Sequence, residues 1–296
     1  MSVFYMTIGL PGAGKTTWAK EQGIDWHSSD AIREEFNTED NSEVFAEMRR
    51  RALESLGNGK DCIYDATNMS KKDRSEILKI VRKSHAKRVA VLFLVPVDEC
   101  KSRNSRRDKP VPDYVFDKML RAFDIPMPCA EFEEIRIIAN GEASESETRM
   151  LSKEYRDGFD QHNSYHTLTI GEHMDKSEEV FEALFRGKYP AYVKEAVKHH
   201  DMGKPFTFSV DDNGTGHFYG HEHVGAYWYL VTNYKDEDAF WEKTFKTGIL
   251  INWHMRPLVW DSSSKTKMRD LYYIDRYDPD MYGQLHAMSK ADRKAH

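Results

Sequence analysis

The sequence predicts two domains of different class: a parallel α/β domain over residues 1–143 and an all-α domain over residues 150–296. Three observations lead there. Strand-like apolar runs alternate with helical stretches in the first half, and strand signals nearly vanish in the second. A small, polar, acidic stretch from Gly141 to Thr148 has no apolar periodicity and reads as a linker. Histidine divides across that linker: His27 and His85 precede it, and the other eleven of the 13 follow residue 160.

The elements can be taken in order. Residues 3–8 are predicted as a strand and 15–22 as a helix. Helices are predicted over 31–36 and 42–56, a short strand over 62–64, a helix over 71–83 and a strand over 89–95. A helix over 113–122 and a strand over 135–138 complete the alternation. Beyond the linker, 178–185, 191–200, 221–234, 238–253 and 284–294 all carry helical patterning. Trp228, Trp241 and Trp253 fall at helical spacing and are expected in the core.

Composition bounds the function. A chain of 296 residues suits two domains, and 40% hydrophobic with 31% charged residues excludes wholesale disorder. The first 140 residues carry 23 basic and 23 acidic residues, and the rest carry 20 and 26, so the net charge of −6 gives no support to a protein that coats nucleic acid. The best apolar run, Val89 to Val97, is far short of the roughly 18 residues of a membrane-spanning helix. The start, Met1-Ser2-Val3-Phe4, has no basic region and reads without a signal peptide. None of the three cysteines forms a CxxC pair, which fits a reducing cytoplasm.

Gly9-Leu10-Pro11-Gly12-Ala13-Gly14-Lys15-Thr16 matches G-x-x-x-x-G-K-[ST], after a predicted strand and at the start of a predicted helix. Gly9, Gly12 and Gly14 let backbone N–H groups curl around a phosphate. Lys15 is expected on the β- and γ-phosphates of ATP, Thr16 on Mg²⁺, and Thr17 in the same first turn. Asp30 stands where a second strand would end. It reads as a general base for an acceptor hydroxyl or as an ordinary helix N-cap. Arg33, one turn on, could bind an anion on the acceptor. Asp65, at the end of a strand, reads as a magnesium-orienting carboxylate or a turn residue. Arg103, Arg106 and Arg107 precede the turn-rich Asp108 to Pro112 and read as a lid closing over the triphosphate or as a solvated basic face.

Together these stretches, with Asp65-Ala66-Thr67-Asn68 and Arg74, resemble the 5′-hydroxyl polynucleotide kinase domain of bacteriophage end-healing enzymes. The resemblance implies that Asp30 is the general base, that Arg33 holds a phosphate of the acceptor nucleotide, and that Arg107 is the lid arginine. One departure is Ser29, where a basic residue is expected.

The second half carries His166, His200-Asp201, His221, His254 and Asp292 on predicted helices. Imidazoles and carboxylates are the ligands of borderline divalent metals. His173, seven residues after His166, faces the same way and could touch substrate or merely pack. His199, His217 and His223 are expected to be structural or exposed. The stretches Tyr165 to Met174, His200-Asp201-Met202-Gly203-Lys204, Gly220 to Gly225, Asn252-Trp253-His254 and Ala291-Asp292-Arg293 resemble the HD phosphohydrolase superfamily over roughly residues 150–296. That resemblance implies that His166, His200, Asp201 and Asp292 hold one metal and that Asp201 bridges to a second, completed by His221 and His254. The metals would be drawn from Mn²⁺, Ni²⁺, Zn²⁺ and Fe²⁺. Lys204 would contact phosphate, with Arg256 a weaker candidate.

A P-loop kinase domain joined to an HD domain resembles an RNA end-healing enzyme. The implied activities are a 5′-hydroxyl polynucleotide kinase and a 2′,3′-cyclic phosphodiesterase and phosphatase. The implied partners are RNA ends, with DNA ends as the other option, ahead of a separate RNA ligase. The expected location is the cytoplasm, of the host cell if a phage carries the gene. The alternative is a nucleoside or nucleotide kinase fused to an HD nucleotidase.

Overall fold

The computed structural model describes residues 2–162 and 167–295. These form two compact units: Met1–Met119 with Pro126–Glu142, and Leu120–Ile125 with Ala143–His296.

The first unit is a five-stranded, all-parallel sheet in the order β2-β3-β1-β4-β5. The strands are β1 (Val3–Ile8), β2 (Asp25–Ser28), β3 (Cys62–Asp65), β4 (Lys87–Leu94) and β5 (Glu134–Ala139). Between them run α1 (Lys15–Glu21), α2 (Ser29–Phe36), α3 (Asn41–Gly57), α4 (Lys71–Val81), α5 (Val97–Asn104) and α6 (Asp113–Leu120). Strand β3 is buried throughout and β4 from Val89 onward. That is why β4 reads as an unbroken apolar run rather than an alternating one. Side-chain caps mark the helix starts: Ser28 on α2, Asp40 on α3 and Ser70 on α4.

One strut inside this unit is ionic. Arg74 on α4 is wholly buried and grips both oxygens of Glu131 at 3.1 Å, while its other nitrogen donates to the carbonyls of Asn68 and Met69. It ties α4 to the turn after β3 and to the segment leading into β5. Its position beside Asp65-Ala66-Thr67-Asn68 is therefore structural.

The second unit packs α9 (Ile170–Phe185), α10 (Ala191–His199), α12 (His221–Asn233), α13 (Lys246–Trp253) and α16 (Met281–Arg293) around a core holding Phe181, Val193, Trp228, Ile249, Trp253 and Leu285. Shorter helices complete it: α7 (Glu145–Leu151), α8 (Lys153–Asp157), α11 (Lys204–Thr207), α14 (Arg256–Trp260), α15 (Ser264–Tyr277) and a π-helical turn at Phe240–Phe245. Among the described residues no helix is long and apolar enough to cross a membrane.

Four differences from the sequence expectation have local causes. The supposed linker becomes helical at Glu145, because Ser144 and Glu147 form a capping box. A second box, Thr169 with Glu172, starts α9 at Ile170, eight residues before the predicted start at residue 178. A two-residue ribbon, β6 (Ser209–Val210) with β7 (Gly216–His217), is too short to show period-2 patterning. Leu120–Ile125 packs in the second unit, where the Asn252 side chain takes the Ile125 N–H at 3.2 Å and the Phe123 carbonyl at 3.0 Å. Of the three tryptophans, Trp228 and Trp253 are buried, whereas Trp241 keeps about a third of its surface exposed.

Arg74→Ala should strand a buried Glu131 carboxylate. We expect a loss of about 3–5 kcal/mol in stability, measured by urea unfolding of the full chain.

Candidate functional site

The phosphate loop follows β1 directly. Gly14 caps α1 in the left-handed region at φ 95°, and Gly12 sits at φ 80°, where a Cβ would lie 2.3 Å from the Cys100 carbonyl oxygen. No other residue fits Gly12 without moving α5. Gly9 backs onto β4, and its N–H donates to the Thr67 carbonyl at 3.0 Å. Thr16 and Thr17 are exposed on the first turn of α1. Lys15 is buried, and burial lowers its pKa against the pull of Asp65; its Nζ donates to the Leu10 carbonyl at 2.7 Å.

Asp65 organises the floor of this site. One carboxylate oxygen accepts from Thr7 at 3.0 Å, and the other accepts from Thr16 at 2.8 Å and the Trp26 indole at 3.2 Å. Asp65 therefore lies beside the Thr16 hydroxyl, at the first turn of α1. Thr7 and Trp26 carried no sequence signal for this role, because their partner is remote in sequence.

Asp30, Arg33 and Arg107 meet. Arg107 donates to one Asp30 oxygen in a short ion pair, and Arg33 lies 3.5 Å from the other while donating to Asn41 at 2.6 Å. The Asp30 side chain is 58% exposed, so this cluster faces solvent. Asn104, missed in the sequence, holds the arginine loop closed: its amide bonds both the carbonyl and the N–H of Val111. Arg103 does not join the phosphate loop as expected. Glu99 takes it at 2.7 Å and Asn140 at 2.8 Å, which commits its guanidinium to α5 and the end of β5.

In the second unit, five expected ligands and His173 converge. His200, His221 and His254 share one device: each Nδ1 lies 2.7–2.8 Å from the backbone carbonyl three residues earlier, at Val197, Phe218 and Ile251. A carbonyl only accepts, so each Nδ1 carries the proton, and each Nε2 turns toward Asp201. The two Asp201 oxygens divide the set. Oδ1 faces His221 Nε2 at 3.1 Å and His254 Nε2 at 3.9 Å. Oδ2 faces His200 Nε2 at 3.4 Å and His173 Nε2 at 3.6 Å. Asp292 joins the second group, 3.0 Å from His173 and 3.6 Å from His200.

This donor set fits divalent cations. His221 and His254 present their Nε2 atoms to each other at 3.2 Å, and the buried His200 Nε2 makes no hydrogen bond among the described residues. Opposed lone pairs beside two carboxylates are repulsive without a cation between them. Two groups, His173-His200-Asp201 and Asp201-His221-His254, each have ligand atoms mutually within 4.8 Å. A cleft lined by Val197, His200, His254, Met288, Ser289 and Asp292 opens onto them.

The electrostatics agree. Burial opposes ionisation of Asp201, but the charges of His200 and Lys204 hold it well below the usual carboxylate range. Burial likewise opposes Asp292, and a hydrogen bond from His173 with the nearby His200 keeps it low. Burial and the neighbouring imidazoles push His254 down to about 4, leaving it neutral and able to ligate. His200 goes the other way: burial is outweighed by the Asp201 carboxylate, and its pKa rises to about 10.

Three sequence expectations change here. His173, weighed as a substrate contact or a packing residue, is 1% exposed and lies among the candidate ligands. His166 lies outside the described residues. Lys204 is buried, with Nζ at 2.7 Å from both Asp201 Oδ2 and Gln161 Oε1, so it braces the central carboxylate rather than offering a free phosphate contact. Arg256 is similarly engaged, by Asp124, Asp270 and the Trp253 ring. Of the three other histidines, His199 and His223 are partly buried, and His217 pairs with Asp211.

Saturating Mn²⁺, at 100 times its Kd, should stabilise the chain by about 2.7 kcal/mol. Asp201→Asn should abolish that gain, read as a thermal shift alongside metal analysis after dialysis.

Residues 4–126 match a family model described as AAA domain. No curated protein matches the chain. Among solved structures, a candidate kinase from Chloroflexus aurantiacus J-10-fl is 15% identical, with 46% of this chain and 84% of that one covered at a TM-score of 0.39. The Mycobacterium tuberculosis APS kinase in complex with AMPPNP and APS is 15% identical, with 47% and 90% covered at a TM-score of 0.34. Motif, parallel sheet and family match together make the first unit a P-loop α/β domain.

Proposed function

We propose that the chain is a bifunctional RNA end-healing enzyme. One activity is an ATP-dependent 5′-hydroxyl polynucleotide kinase, and the other is a metal-dependent 2′,3′-cyclic phosphodiesterase and phosphatase of the HD type. The observation that carries this reading is the pairing on one chain of a phosphate loop, with Asp30 between two arginines, and a His/Asp cluster split by Asp201. The first arrangement suits adding a phosphate and the second suits removing one. A broken RNA with a 5′-hydroxyl and a 2′,3′-cyclic phosphate needs both operations before a ligase can seal it.

In the kinase step the loop N–H groups and Lys15 take the β- and γ-phosphates of ATP. Lys15 Nζ exchanges the Leu10 carbonyl for them. Asp30 accepts the proton of the 5′-hydroxyl as that oxygen bonds to the γ-phosphorus. The bond to the β–γ bridging oxygen breaks and ADP leaves. Arg107 must release Asp30 first. The pair is exposed and worth only about 0–1 kcal/mol, so an arriving acceptor displaces it easily, and Arg107 is then free to neutralise the transferring phosphoryl group. Arg33, steadied by Asn41, is placed for a phosphate of the acceptor strand. Thr16 and Asp65 would hold Mg²⁺, which neutralises charge on the triphosphate.

In the second unit, His173, His200 and Asp292 with Asp201 Oδ2 would hold one divalent cation, and His221 and His254 with Asp201 Oδ1 another, of the Mn²⁺, Ni²⁺, Zn²⁺ or Fe²⁺ kind. Such a pair polarises a phosphoryl group and supplies a nucleophile from water at neutral pH. The chain orients those ligands through the three backbone carbonyls and Lys204. Water opens the cyclic diester to a monoester, and a second hydrolysis releases inorganic phosphate.

Two substitutions divide the activities. Asp30→Ala should abolish 5′ phosphorylation, a loss of at least 100-fold for a general base, and leave 3′ processing intact. Asp201→Ala should do the reverse. Both termini of an RNA with 5′-hydroxyl and 2′,3′-cyclic phosphate ends are followed with ATP and Mn²⁺ or Ni²⁺. Loss of both activities in either folded variant overturns the two-site reading. Phosphorylation of free nucleosides but not of oligonucleotides supports a nucleoside kinase joined to a nucleotidase instead.

A further inference from the structure

Tyr219 stands two residues before His221 and is 69% exposed, among the most exposed aromatic side chains described. An exposed aromatic ring usually has nothing to hold it, but this one is held at several points. Its carbonyl accepts from Arg121 Nη1 at 2.9 Å. The next residue, Gly220, sits at φ 80° and so close to Arg121 that a Cβ would lie 2.9 Å from the Arg121 Cβ. The Tyr219 ring lies over the His217 ring, with centroids 5.3 Å apart and planes 8° from parallel. His217 Nε2 is 3.0 Å from an Asp211 oxygen across the β6–β7 ribbon, and the other Asp211 oxygen accepts from the N–H groups of Asn213 and Thr215. The ribbon is tied down in turn by Gly216 N–H donating to the His162 carbonyl at 2.7 Å.

The result is an aromatic pair braced from below and open above, two residues from a ligand of the His/Asp cluster. Core packing does not explain it, since the ring buries little. A π-face held flat and left exposed is what a nucleobase stacks on, whatever the base, and such contacts contribute to binding nucleic-acid ends without sequence preference. We propose that Tyr219, backed by His217, is a base-stacking platform for the terminal nucleoside whose phosphate the cluster processes. This rests on reading the cluster as a phosphoester site and adds its substrate class: a phosphate attached to a base-bearing nucleoside rather than a small phosphate ester. His217, expected only to be structural or exposed, becomes the support for that ring.

The test uses the full chain carrying Lys15→Ala, which weakens the phosphate loop, loaded with Mn²⁺. Binding of the 3′-methylenephosphonate of adenosine and of the corresponding glycerol methylenephosphonate, neither of which can be hydrolysed, is measured by calorimetry. The adenosine compound should bind roughly 5- to 100-fold more tightly, the range that stacking supplies. Tyr219→Ala should erase that gap and leave the glycerol compound unchanged, which also reports an intact site; Tyr219→Phe should preserve the gap. Equal binding of the two compounds, or a gap that survives Tyr219→Ala, overturns the platform. Hydrolysis of adenosine 2′,3′-cyclic phosphate is followed in parallel. A Tyr219-dependent gap in a chain that hydrolyses no phosphoester upholds the platform and overturns the hydrolase reading. Hydrolysis without any gap does the opposite.

Discussion

A carboxylate taken out of water must be surrounded by partners, and Asp201 is the group that imposes this on the second unit. It is 3% exposed, and an unpaired charge at that depth would cost several kcal/mol. Lys204 meets one oxygen directly, and imidazoles from four helices or helix ends close around both. Three of those imidazoles sit at helix termini, where a backbone carbonyl is within reach of Nδ1. His200 follows α10, His254 follows α13, and His221 begins α12. Helix ends leave carbonyls without intrahelical partners. Here Val197 and Ile251 use theirs to fix the tautomer of a ligand.

The first unit solves the opposite problem. Its carboxylate Asp30 is exposed and only lightly held by Arg107 and Arg33. What is rigid there is the floor. Asp65 draws Thr7, Thr16 and Trp26 together from β1, α1 and β2. A parallel sheet brings its strand ends to one edge, which is why loops that follow β1, β2 and β3 can share one site. Phosphoryl transfer asks for positioning and charge neutralisation, and the division into a fixed floor and a displaceable lid suits that. The cluster around Asp201 is built the other way, buried and held by backbone carbonyls and Lys204.

Local chemistry was the legible part of this chain. The phosphate loop is eight consecutive residues whose backbone geometry depends on Gly9, Gly12 and Gly14, so the motif carried nearly all of it. His200, Asp201, His221, His254 and Asp292 were legible as ligand types in a helical half. Their division between the two oxygens of Asp201 was not, because it follows from side chains up to 119 residues apart. His173 and His166 share a helical face by spacing, so periodicity could not rank them. The Thr169–Glu172 capping box, which starts α9 just before His173, was the available signal. Arg103 and Arg107 are four residues apart and equally basic. Only the positions of Glu99, Asn140 and Asp30 sent Arg103 to a pair with Glu99 and Asn140 and Arg107 to Asp30.

By itself, then, the amino-acid order determined the class of each half, the phosphate loop and the chemical types available for metal binding, because those rest on backbone propensity and on neighbours within a few turns. Tertiary structure decided which carboxylate stands at the centre, that Lys204 braces it, that Asn104 clamps the arginine loop, and that Tyr219 lies flat on His217. Each of these is a meeting of side chains from separate elements, set by burial and hydrogen bonding that no local pattern records.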